Sequence, residues 1–335
     1  MDVRQLLGQH RNLIPLAPNV ALPHKGRMTQ KTILITGCSS GIGRDAAFGL
    51  RALGWRVFAS CRQQSDCDAL IAEGFESPRI DYADEASIQS GLAEVLMATG
   101  GTLDALYNNG AFACPGAAED LPRGALRDIF ETNLFGWHDL TCRVIPIMRK
   151  QGHGRIINCS SVLGLVAYKW RGAYVSTKFA LEGLTDVLRL ELAGTGIHII
   201  LVEPGPITSK IRENAIPHFE KWINWQGSAR AKEYETLRTR LYESKGPDRF
   251  ELPASAVTAK LITALTAQRP KPCYYVTTLT YLMGYLRRLL STRALDWLIA
   301  NKIDLWVWCE DCSHHARLSS KLALQKFGNL KNTNF

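Results

Sequence analysis

Short apolar runs rich in β-branched residues alternate along the chain with longer amphipathic stretches. The runs show no polar alternation, which is typical of strands buried on both faces of a parallel sheet, and the stretches between them have helical periodicity. We predict strands at 32–36, 55–60, 78–82, 103–108, 154–160, 197–202 and 273–277. The pattern predicts an α/β fold, a doubly wound, Rossmann-like parallel sheet covered by helices.

This alternation is confined to the middle of the chain. Residues 1–27 are rich in Pro, His and Arg and precede Met28, so we expect a flexible N-terminal extension there and a single folded domain over 28–280. Beyond that domain, the pattern of 281–301 predicts a cationic amphipathic helix. We therefore expect residues 281–335 to form a helical extension and tail.

Composition excludes several classes of protein. The formal net charge is +9, but no block of five basic residues occurs, so we do not expect a nucleic-acid partner. The nine cysteines lack the spacing of a disulfide scaffold, which indicates a reducing compartment. No run approaches the roughly 18 apolar residues of a membrane-spanning helix. We expect a cytoplasmic protein that contacts membranes at most peripherally.

The turn after the first predicted strand allows two interpretations. It matches G-x-S-x-G, the nucleophile elbow of α/β-hydrolases, with Ser39 as the nucleophile. The same turn could seat a diphosphate, because Gly37 and Gly41 permit tight turning and close backbone approach, and Gly43 lets the next helix pack on the sheet. The turn alone does not decide between a nucleophile and a phosphate cradle.

Polar residues follow the next predicted strands at the edge where an open parallel sheet binds ligands. Arg62 follows the second strand, where a guanidinium suits the 2′-phosphate of NADP, although a solvated arginine is the alternative. Asp81 follows the third strand and could contact an adenine edge or tie adjacent strands together. Asn108, after the fourth strand, is better interpreted as such a structural tie.

Tyr174 and Lys178 are four residues apart, which places both on one face of a predicted helix. A neighbouring ammonium favours the phenolate and lowers the pKa of a tyrosine, so that it can exchange a proton with an alcohol or carbonyl. Composition alone produces Y-x-x-x-K about 0.4 times in such a chain. The pair gains weight because it follows the fifth strand and Ser161, at the same sheet edge as the glycine turn.

On these residues the chain resembles the short-chain dehydrogenase/reductase family over roughly residues 30 to 210. The resemblance implies a catalytic set of Asn133, Ser161, Tyr174 and Lys178. Within the family, the chain looks most similar to the NADP(H)-linked 17β-hydroxysteroid and retinol dehydrogenases. The cofactor contacts that it implies are Gly37, Ser39, Ser40, Gly41, Ile42, Gly43, Arg62, Asp81, Asn109, Tyr174, Lys178, Pro204, Gly205, Ile207 and Ser209.

The resemblance implies hydride transfer between NADP(H), with NAD(H) as the other candidate, and a lipophilic secondary or aldehyde-forming alcohol. Lys178 would hold the nicotinamide ribose and, with the oxidised ring, lower the pKa of Tyr174, which exchanges the proton. Ser161 would hydrogen-bond the reacting oxygen, and Asn133 would anchor a water that links Lys178 to solvent. A homo-oligomer, dimer or tetramer, is also expected.

The turn after the fourth strand departs from the family pattern. The family usually has Asn-Asn-Ala-Gly, whereas this chain has Asn108, Asn109, Gly110 and Ala111. The exchange moves a methyl group to where the backbone usually lies flat against the adenosine half of the cofactor. We expect the turn to tolerate it, because Gly110 can adjust.

Two alternatives belong to other functional classes. A serine hydrolase built on Ser39 would need an acid and a histidine, with His138, His153, His198 and His218 as candidates. An elbow on the first strand, however, leaves no preceding strand or loop to form an oxyanion hole. The other alternative is a non-catalytic dinucleotide-binding sensor or scaffold, which has no need for an activated phenol.

The C-terminal region raises two further hypotheses. Cys309, Cys312, His314 and His315 could form a zinc site on paper, but their spacing is poor, so we expect no metal and a loosely docked tail. The segment 281–308 combines arginines with apolar residues. It could lie on an anionic membrane, although packing over the substrate cleft or against the domain is favoured.

Residues 207–250 form the expected specificity region, between the Pro-Gly turn and the next helix. This region carries an apolar and aromatic set that would suit the wall of a substrate pocket. Core packing and an oligomer contact remain open for the same residues. The set is Ile211, Ile216, Phe219, Trp222, Ile223 and Trp225.

Overall fold

The computed structural model describes residues 30–243 and 250–300, together with the backbone of 307–308 and 315–316. The pattern of contacts separates the chain into two units, with the boundary between Gln30 and Lys31. The fold described below belongs to the unit that begins at Lys31. The predicted N-terminal extension and most of the predicted tail lie outside the described ranges.

A parallel sheet of six strands forms the centre of the fold, as predicted. The strands are β1 (Thr32–Ile35), β2 (Arg56–Ala59), β3 (Ala105–Asn108), β4 (Gly154–Cys159), β5 (Ile197–Glu203) and β6 (Cys273–Tyr275). Their order in the sheet is β2-β1-β3-β4-β5-β6, and every neighbouring pair is parallel. The strand order reverses between β1 and β3, which is where sheets of this kind bind ligands.

Helices connect the strands and cover the sheet, which confirms the Rossmann-like α/β architecture. The helices are α1 (Gly41–Ala52), α2 (Gln64–Ala72), α3 (Glu85–Thr99), α4 (Arg123–Phe130), α5 (Gly136–Gln151), α6 (Gly172–Glu191), α7 (Ile211–Trp222), α8 (Ala231–Tyr242), α9 (Ser255–Thr266), α10 (Thr278–Leu289) and α11 (Thr292–Ala300). A π-helical turn (Glu131–Phe135) joins α4 to α5, and a 3₁₀ turn (Val162–Gly164) follows β4. Val307–Trp308 and His315–Ala316 pair as two short antiparallel strands.

The predicted strand at 78–82 is wrong. The segment runs beside β2, but two isolated bridges, Phe58 to Glu76 and Cys61 to Arg79, stand in place of a continuous ladder. Pro78 stands between these two bridges and has no backbone N–H to donate, so the ladder cannot continue through it. The segment still brings Asp81 to the same edge as the turn after β2.

The predicted helix over 281–301 is divided into α10 and α11. Leu290 has extended backbone (φ −97°, ψ 146°) and ends α10, and the Ser291 hydroxyl accepts a hydrogen bond from the Ala294 N–H at 3.4 Å, which starts α11. Among the described residues, none of the helices is both long enough and apolar enough to span a bilayer.

The inner face of these two helices packs on the segment that follows β4. Leu295 and Leu298 are buried against Val162 and Val166, and Leu286 packs beside them. This contact confirms packing as a role of the apolar face. Membrane contact through 281–308 stays a prediction, and part of that range lies outside the described residues.

A buried amide network joins the carboxyl ends of the central strands. The Asn108 side chain accepts a hydrogen bond from the Tyr82 hydroxyl at 2.7 Å and donates to Thr141 at 3.0 Å and to Asn158 at 2.9 Å. Because Asn108 ends β3 and Asn158 lies on β4, this network ties the two strands together. The structural role predicted for Asn108 is confirmed.

Candidate functional site

The glycine turn lies between the end of β1 and the start of α1. Gly37 and Gly41 have φ values of +68° and +57°, which residues other than glycine rarely adopt. A Cβ atom on Gly37 would lie 2.5 Å from the Cα of Gly110, and one on Gly43 would lie 2.3 Å from the Gly37 carbonyl oxygen. The turn therefore has no room for side chains at Gly37 and Gly43. No side chain in the described part of the protein caps the first N–H groups of α1, so they could bind an anion.

Thr36 and Asn109 hold the glycine turn in place. The Asn109 amide donates to the carbonyl oxygens of Thr36 at 3.0 Å and Gly37 at 3.3 Å, and the Asn109 N–H donates to the Thr36 hydroxyl at 3.0 Å. Asn109, a predicted cofactor contact, thus fixes the shape of the cradle from the neighbouring strand end.

The exchange of Gly110 and Ala111 does not disturb this turn. A Cβ atom on Gly110 would lie 3.4 Å from Gly37 and from Tyr82, which is ordinary contact, so the family order would also fit. Ala111 is partly buried against the core. The expectation that the turn accommodates the exchange agrees with this geometry.

The Pro-Gly segment after β5 closes the other side of the cleft. A Cβ atom on Gly41 would lie 3.1 Å from the Cβ of Ser209, and one on Gly205 would lie 2.1 Å from the Thr277 hydroxyl. Ile207 bridges to Leu252. The Pro204 carbonyl accepts a hydrogen bond from the Val162 N–H at 2.7 Å, which joins this segment to the residues after β4.

The remaining predicted cofactor residues lie at the same sheet edge. Arg62 is exposed after β2, and its carbonyl accepts a hydrogen bond from Arg79 Nε at 3.0 Å. The Asp81 carboxylate accepts from the Ala83 N–H at 3.1 Å, while Ser39 is exposed on the glycine turn. Ser40 precedes the first residue of α1 and Ile42 lies in its first turn.

Ser161, Tyr174 and Lys178 come together at the carboxyl end of β4. Tyr174 and Lys178 lie on α6 and are 9% and 1% exposed. Lys178 Nζ donates to the Cys159 carbonyl at 2.8 Å and lies 5.5 Å from the centre of the Tyr174 ring. The Ser161 hydroxyl is close enough to the Tyr174 phenol to lower its pKa. The sequence spacing thus produces one contiguous group.

Asn133 lies in the π-helical turn, fully buried beside this group. Its side chain accepts from the Phe112 N–H at 3.1 Å and donates to the Phe112 carbonyl at 2.9 Å and to the Thr177 hydroxyl at 3.4 Å. π-Helical turns inside α-helices occur frequently at functional sites. Asn133 thereby connects the segment after β3 to the helix that carries Tyr174 and Lys178.

Burial dominates the titration of both α6 residues. It lowers the pKa of Lys178 to about 8, although Cys159 and Glu182 act to raise this pKa. It raises the pKa of Tyr174 above its usual range, which the hydrogen bond from Ser161 and the charge of Arg171 oppose. The protein groups alone therefore keep Tyr174 a neutral phenol and do not produce the lowered pKa predicted from the sequence.

An apolar cluster surrounds Tyr174 on the side of α7. Most of the apolar set predicted in the specificity region belongs to it: Ile216, Phe219, Trp222, Ile223 and Trp225. Ile211 is exposed instead. Other members come from α4, from α8, from the segment after β3 and from the residues before α6, and include Phe112, Ala113, Cys114, Leu163 and Trp170. Phe219 and Ile223 are buried in this cluster, so core packing accounts for these two members of the set.

The sequence interpretation missed Trp137. Its ring lies 4.3 Å from Lys178 Nζ, and its indole N–H donates to the Gly110 carbonyl at 2.8 Å. Because Gly110 contacts Gly37, this indole links the lysine to the glycine turn. The only sequence signal was its position four residues after Asn133, one helical turn along.

The hydrolase alternative finds no support in this geometry. In the part of the chain that the structure describes, no hydrogen bond joins Ser39 to a histidine. His138 contacts Cys142 at 3.4 Å, and His218 stacks on Phe112 with the ring centres 3.6 Å apart. His153 bonds Asp104 at 3.0 Å beside the strand starts, at the opposite edge of the sheet. Nor do residues 30–243 and 250–300 hold a metal-ligating cluster.

Comparisons with known proteins agree with this arrangement. The family model described as short chain dehydrogenase matches residues 31–218. The uncharacterized oxidoreductase YbbO of Escherichia coli (strain K12) is 36% identical over 271 residues, which covers 81% of this chain and 94% of the relative. Retinol dehydrogenase 8 of Homo sapiens is 34% identical over 190 residues, covering 54% of this chain and 60% of the relative.

Two solved structures have the same fold. A short-chain dehydrogenase from Streptomyces avermitilis superposes with a TM-score of 0.67 at 28% identity, over 82% of this chain and 98% of that one. A variant of actinorhodin polyketide ketoreductase with NADPH gives a TM-score of 0.60 at 26% identity, covering 74% of this chain and 95% of that one. This protein is an oxidoreductase that belongs to the short-chain dehydrogenase/reductase family.

Proposed function

We propose that the protein is an NADP(H)-dependent oxidoreductase that interconverts a lipophilic alcohol, secondary or aldehyde-forming, and its carbonyl compound. The observation that carries this proposal is the convergence of Ser161, Tyr174 and Lys178 between the glycine turn and the apolar cluster. A hydride-transfer site needs a seat for the cofactor, a proton donor and a surface for the substrate. These three features meet at the carboxyl end of β4.

The cleft fits a nicotinamide dinucleotide. The closed glycine turn and the N-terminus of α1 suit a diphosphate, and Arg62 suits a 2′-phosphate at the end of β2. The related polyketide ketoreductase structure contains NADPH. When bound, such a cofactor supplies or accepts the hydride. Lys178, buried and oriented by Cys159 and Trp137, would hold its ribose hydroxyls.

Tyr174 would exchange the proton with the reacting oxygen. As a neutral phenol it is in the form that donates a proton to a carbonyl, and the neighbouring Ser161 hydroxyl would hydrogen-bond the same oxygen. Asn133 fixes the segment after β3 against α6 and so sets the distance between the two sides of the site. These roles require position more than chemical activation.

The apolar cluster supports a lipophilic substrate. Ile216 and Trp170 lie in the cluster that contains Tyr174 and are only partly buried, so a substrate at the phenol would meet apolar side chains. Retinol dehydrogenase 8, a relative, is named for a lipophilic alcohol. An apolar ketone or aldehyde should therefore be reduced more efficiently than a charged one.

Tyr174→Phe should lower kcat for NADPH-dependent carbonyl reduction by about 10²-fold or more, because it removes the proton donor and leaves the ring. The assay is NADPH oxidation with a panel of apolar and charged ketones and aldehydes. Tyr168→Phe is the matched control, since Tyr168 is exposed and should leave kcat unchanged. Wild-type turnover by the Tyr174 variant would refute the mechanism, and NADPH binding without turnover of any carbonyl would favour a sensor.

Arg62→Ala should weaken NADPH binding by about tenfold to a hundredfold, the loss expected for a charge-assisted contact to phosphate. Binding of NADH should change little, because NADH has no 2′-phosphate. Dissociation constants measured by fluorescence for both cofactors test this. Arg123→Ala, another exposed arginine, is the control. An equal loss for both cofactors would contradict the role proposed for Arg62.

Lys178→Met should raise the free energy of unfolding at pH 7 by about 1–3 kcal/mol, because it removes a buried charge, while turnover is lost. Folding lowers the pKa of Lys178 from 10.5 to about 8, so the folded wild type carries a costly charge below pH 8. As pH rises from about 8 toward 10.5 the folded lysine becomes neutral, and the advantage of the variant should shrink.

Urea unfolding across this pH range measures the difference between Lys178→Met and wild type. Lys150→Met is the matched control, because Lys150 is exposed and its loss should change stability by less than about 0.5 kcal/mol. A Lys178 variant that is less stable than wild type at pH 7 would show that the lysine serves the fold.

We also propose that the chain forms a homo-oligomer through α6. Phe179, Val187 and Leu190 form an exposed apolar stripe along this helix, with Val187 50% and Leu190 73% exposed. A Cβ atom on Gly183, between them, would meet no atom within 4 Å. Exposed apolar stripes of this kind are typical of association surfaces.

The double variant Val187→Glu/Leu190→Glu should shift the protein toward monomer, because it introduces charges into the stripe. Size-exclusion chromatography with light scattering measures the mass. Ile71→Glu on α2 is the control, since Ile71 is also exposed and apolar but lies on another helix. An unchanged mass in the α6 variant would refute the surface.

A further inference from the structure

A partly buried hydrogen bond joins Glu182 to Ser160 beside Tyr174 and Lys178. Glu182 lies on α6 four residues after Lys178, so both side chains leave the same face of the helix. Its carboxylate accepts a hydrogen bond from the Ser160 hydroxyl, and Ser160 is 3% exposed. Neither residue belongs to the catalytic set that the sequence implied.

The 3₁₀ turn after β4 encloses this pair tightly. A Cβ atom on Gly164 would lie 2.6 Å from the Ser160 hydroxyl oxygen and 2.7 Å from Glu182 Oε1. The glycine therefore packs its backbone directly on the hydrogen bond and leaves no space for a side chain. The hydrogen bond between Ser160 and Glu182 therefore lies between α6, which carries Glu182, and the 3₁₀ turn.

Three consecutive residues at the end of β4 interact with α6. The Cys159 carbonyl accepts a hydrogen bond from Lys178 Nζ at 2.8 Å, the Ser160 hydroxyl donates to Glu182, and the Ser161 hydroxyl is close enough to Tyr174 to lower the pKa of its phenol. The Ser160 contact is the middle one of the three. A shift of Ser160 relative to α6 would move both the residue that anchors the lysine and the serine that meets the substrate oxygen.

Several charged and titratable groups face Glu182. Burial is the largest influence and raises its pKa, while the Ser160 hydrogen bond, Lys178 and Arg189 oppose the rise. The groups around it are Lys178, Asp186 and Arg189 on α6, Glu203 on β5 and Cys273 on β6. Because burial disfavours the charge of this carboxylate, a neutral glutamine should be a close substitute that keeps an oxygen acceptor for Ser160.

We propose that Glu182 is a positioning residue for catalysis, which acts through Ser160 to fix the end of β4 against α6. The hydrogen bond sets the location of Ser161 and of the Cys159 carbonyl relative to Tyr174 and Lys178. The proposal rests on the proposed function, because the geometry that it fixes is that of the hydride-transfer site. Displacing a reacting group by about 1 Å can lower a rate by up to 10²-fold.

The test compares Glu182→Ala, Glu182→Gln, Ser160→Ala and the double variant Ser160→Ala/Glu182→Ala. Both single alanine variants should lower kcat about tenfold with little change in KM for the carbonyl, whereas glutamine should stay within about twofold of wild type. The double variant should lose no more than either single variant, because both remove the same interaction. Glu191→Ala, which removes an exposed glutamate at the end of α6, is the matched control.

NADPH binding provides a readout that does not depend on turnover. Because Lys178 is anchored at Cys159, both single alanine variants should bind NADPH about threefold more weakly, and glutamine should bind like wild type. If wild type turns over no carbonyl, the proposed function fails, and the same pattern of NADPH affinities still decides whether Glu182 positions the lysine. If Glu182→Ala does not fold, the contrast between Glu182→Gln and Ser160→Ala decides.

Three outcomes would overturn the proposal. Alanine variants that fold and keep kcat and NADPH affinity within twofold of wild type would show that the hydrogen bond positions nothing. A glutamine variant as impaired as the alanine variant would show that acceptance of a hydrogen bond is not the role. Additive losses in the double variant would show that Ser160 and Glu182 act separately.

Discussion

The buried ammonium of Lys178 is the constraint on which the arrangement of the site depends. A charge removed from water must be compensated by oriented polar groups, or the fold expels or neutralises it. Here the compensation is the Cys159 carbonyl at 2.8 Å and the face of the Trp137 ring at 4.3 Å. Burial still lowers the pKa of the lysine to about 8, so compensation is incomplete.

Those two partners connect the lysine to the rest of the cleft. Cys159 ends β4, so the strand that delivers Ser161 also anchors the ammonium. Trp137 donates to Gly110, which lies against Gly37, so the same lysine is linked to the glycine turn. The distance between the glycine turn and Tyr174 on α6 is therefore set by a continuous path of packed groups. Position, rather than an unusual chemical group, is what the fold provides.

Local signals predicted most of the fold and the site. The strands of the sheet are apolar runs, the glycine turn needs residues that tolerate positive φ, and the spacing of Tyr174 and Lys178 follows from helical geometry. Each of these is a property of a few consecutive residues, and each can be seen in the sequence. The predicted strand at 78–82 does not form because Pro78 has no N–H to donate to a ladder, and this signal too is local.

Other features depend on contacts between residues distant in sequence. The ring of Trp137 and the carboxylate of Glu182 reach the site from helices whose packing angle no short segment specifies. The pKa of Tyr174 is a similar case, since a neighbouring ammonium predicts a lower value but burial prevails once the phenol is enclosed. Residue types therefore define which groups can exchange a proton, and enclosure decides which protonation state they start from. In this protein burial keeps Tyr174 a neutral phenol. A positive charge on a bound cofactor could lower the pKa of Tyr174 only by overcoming the effect of the apolar surroundings.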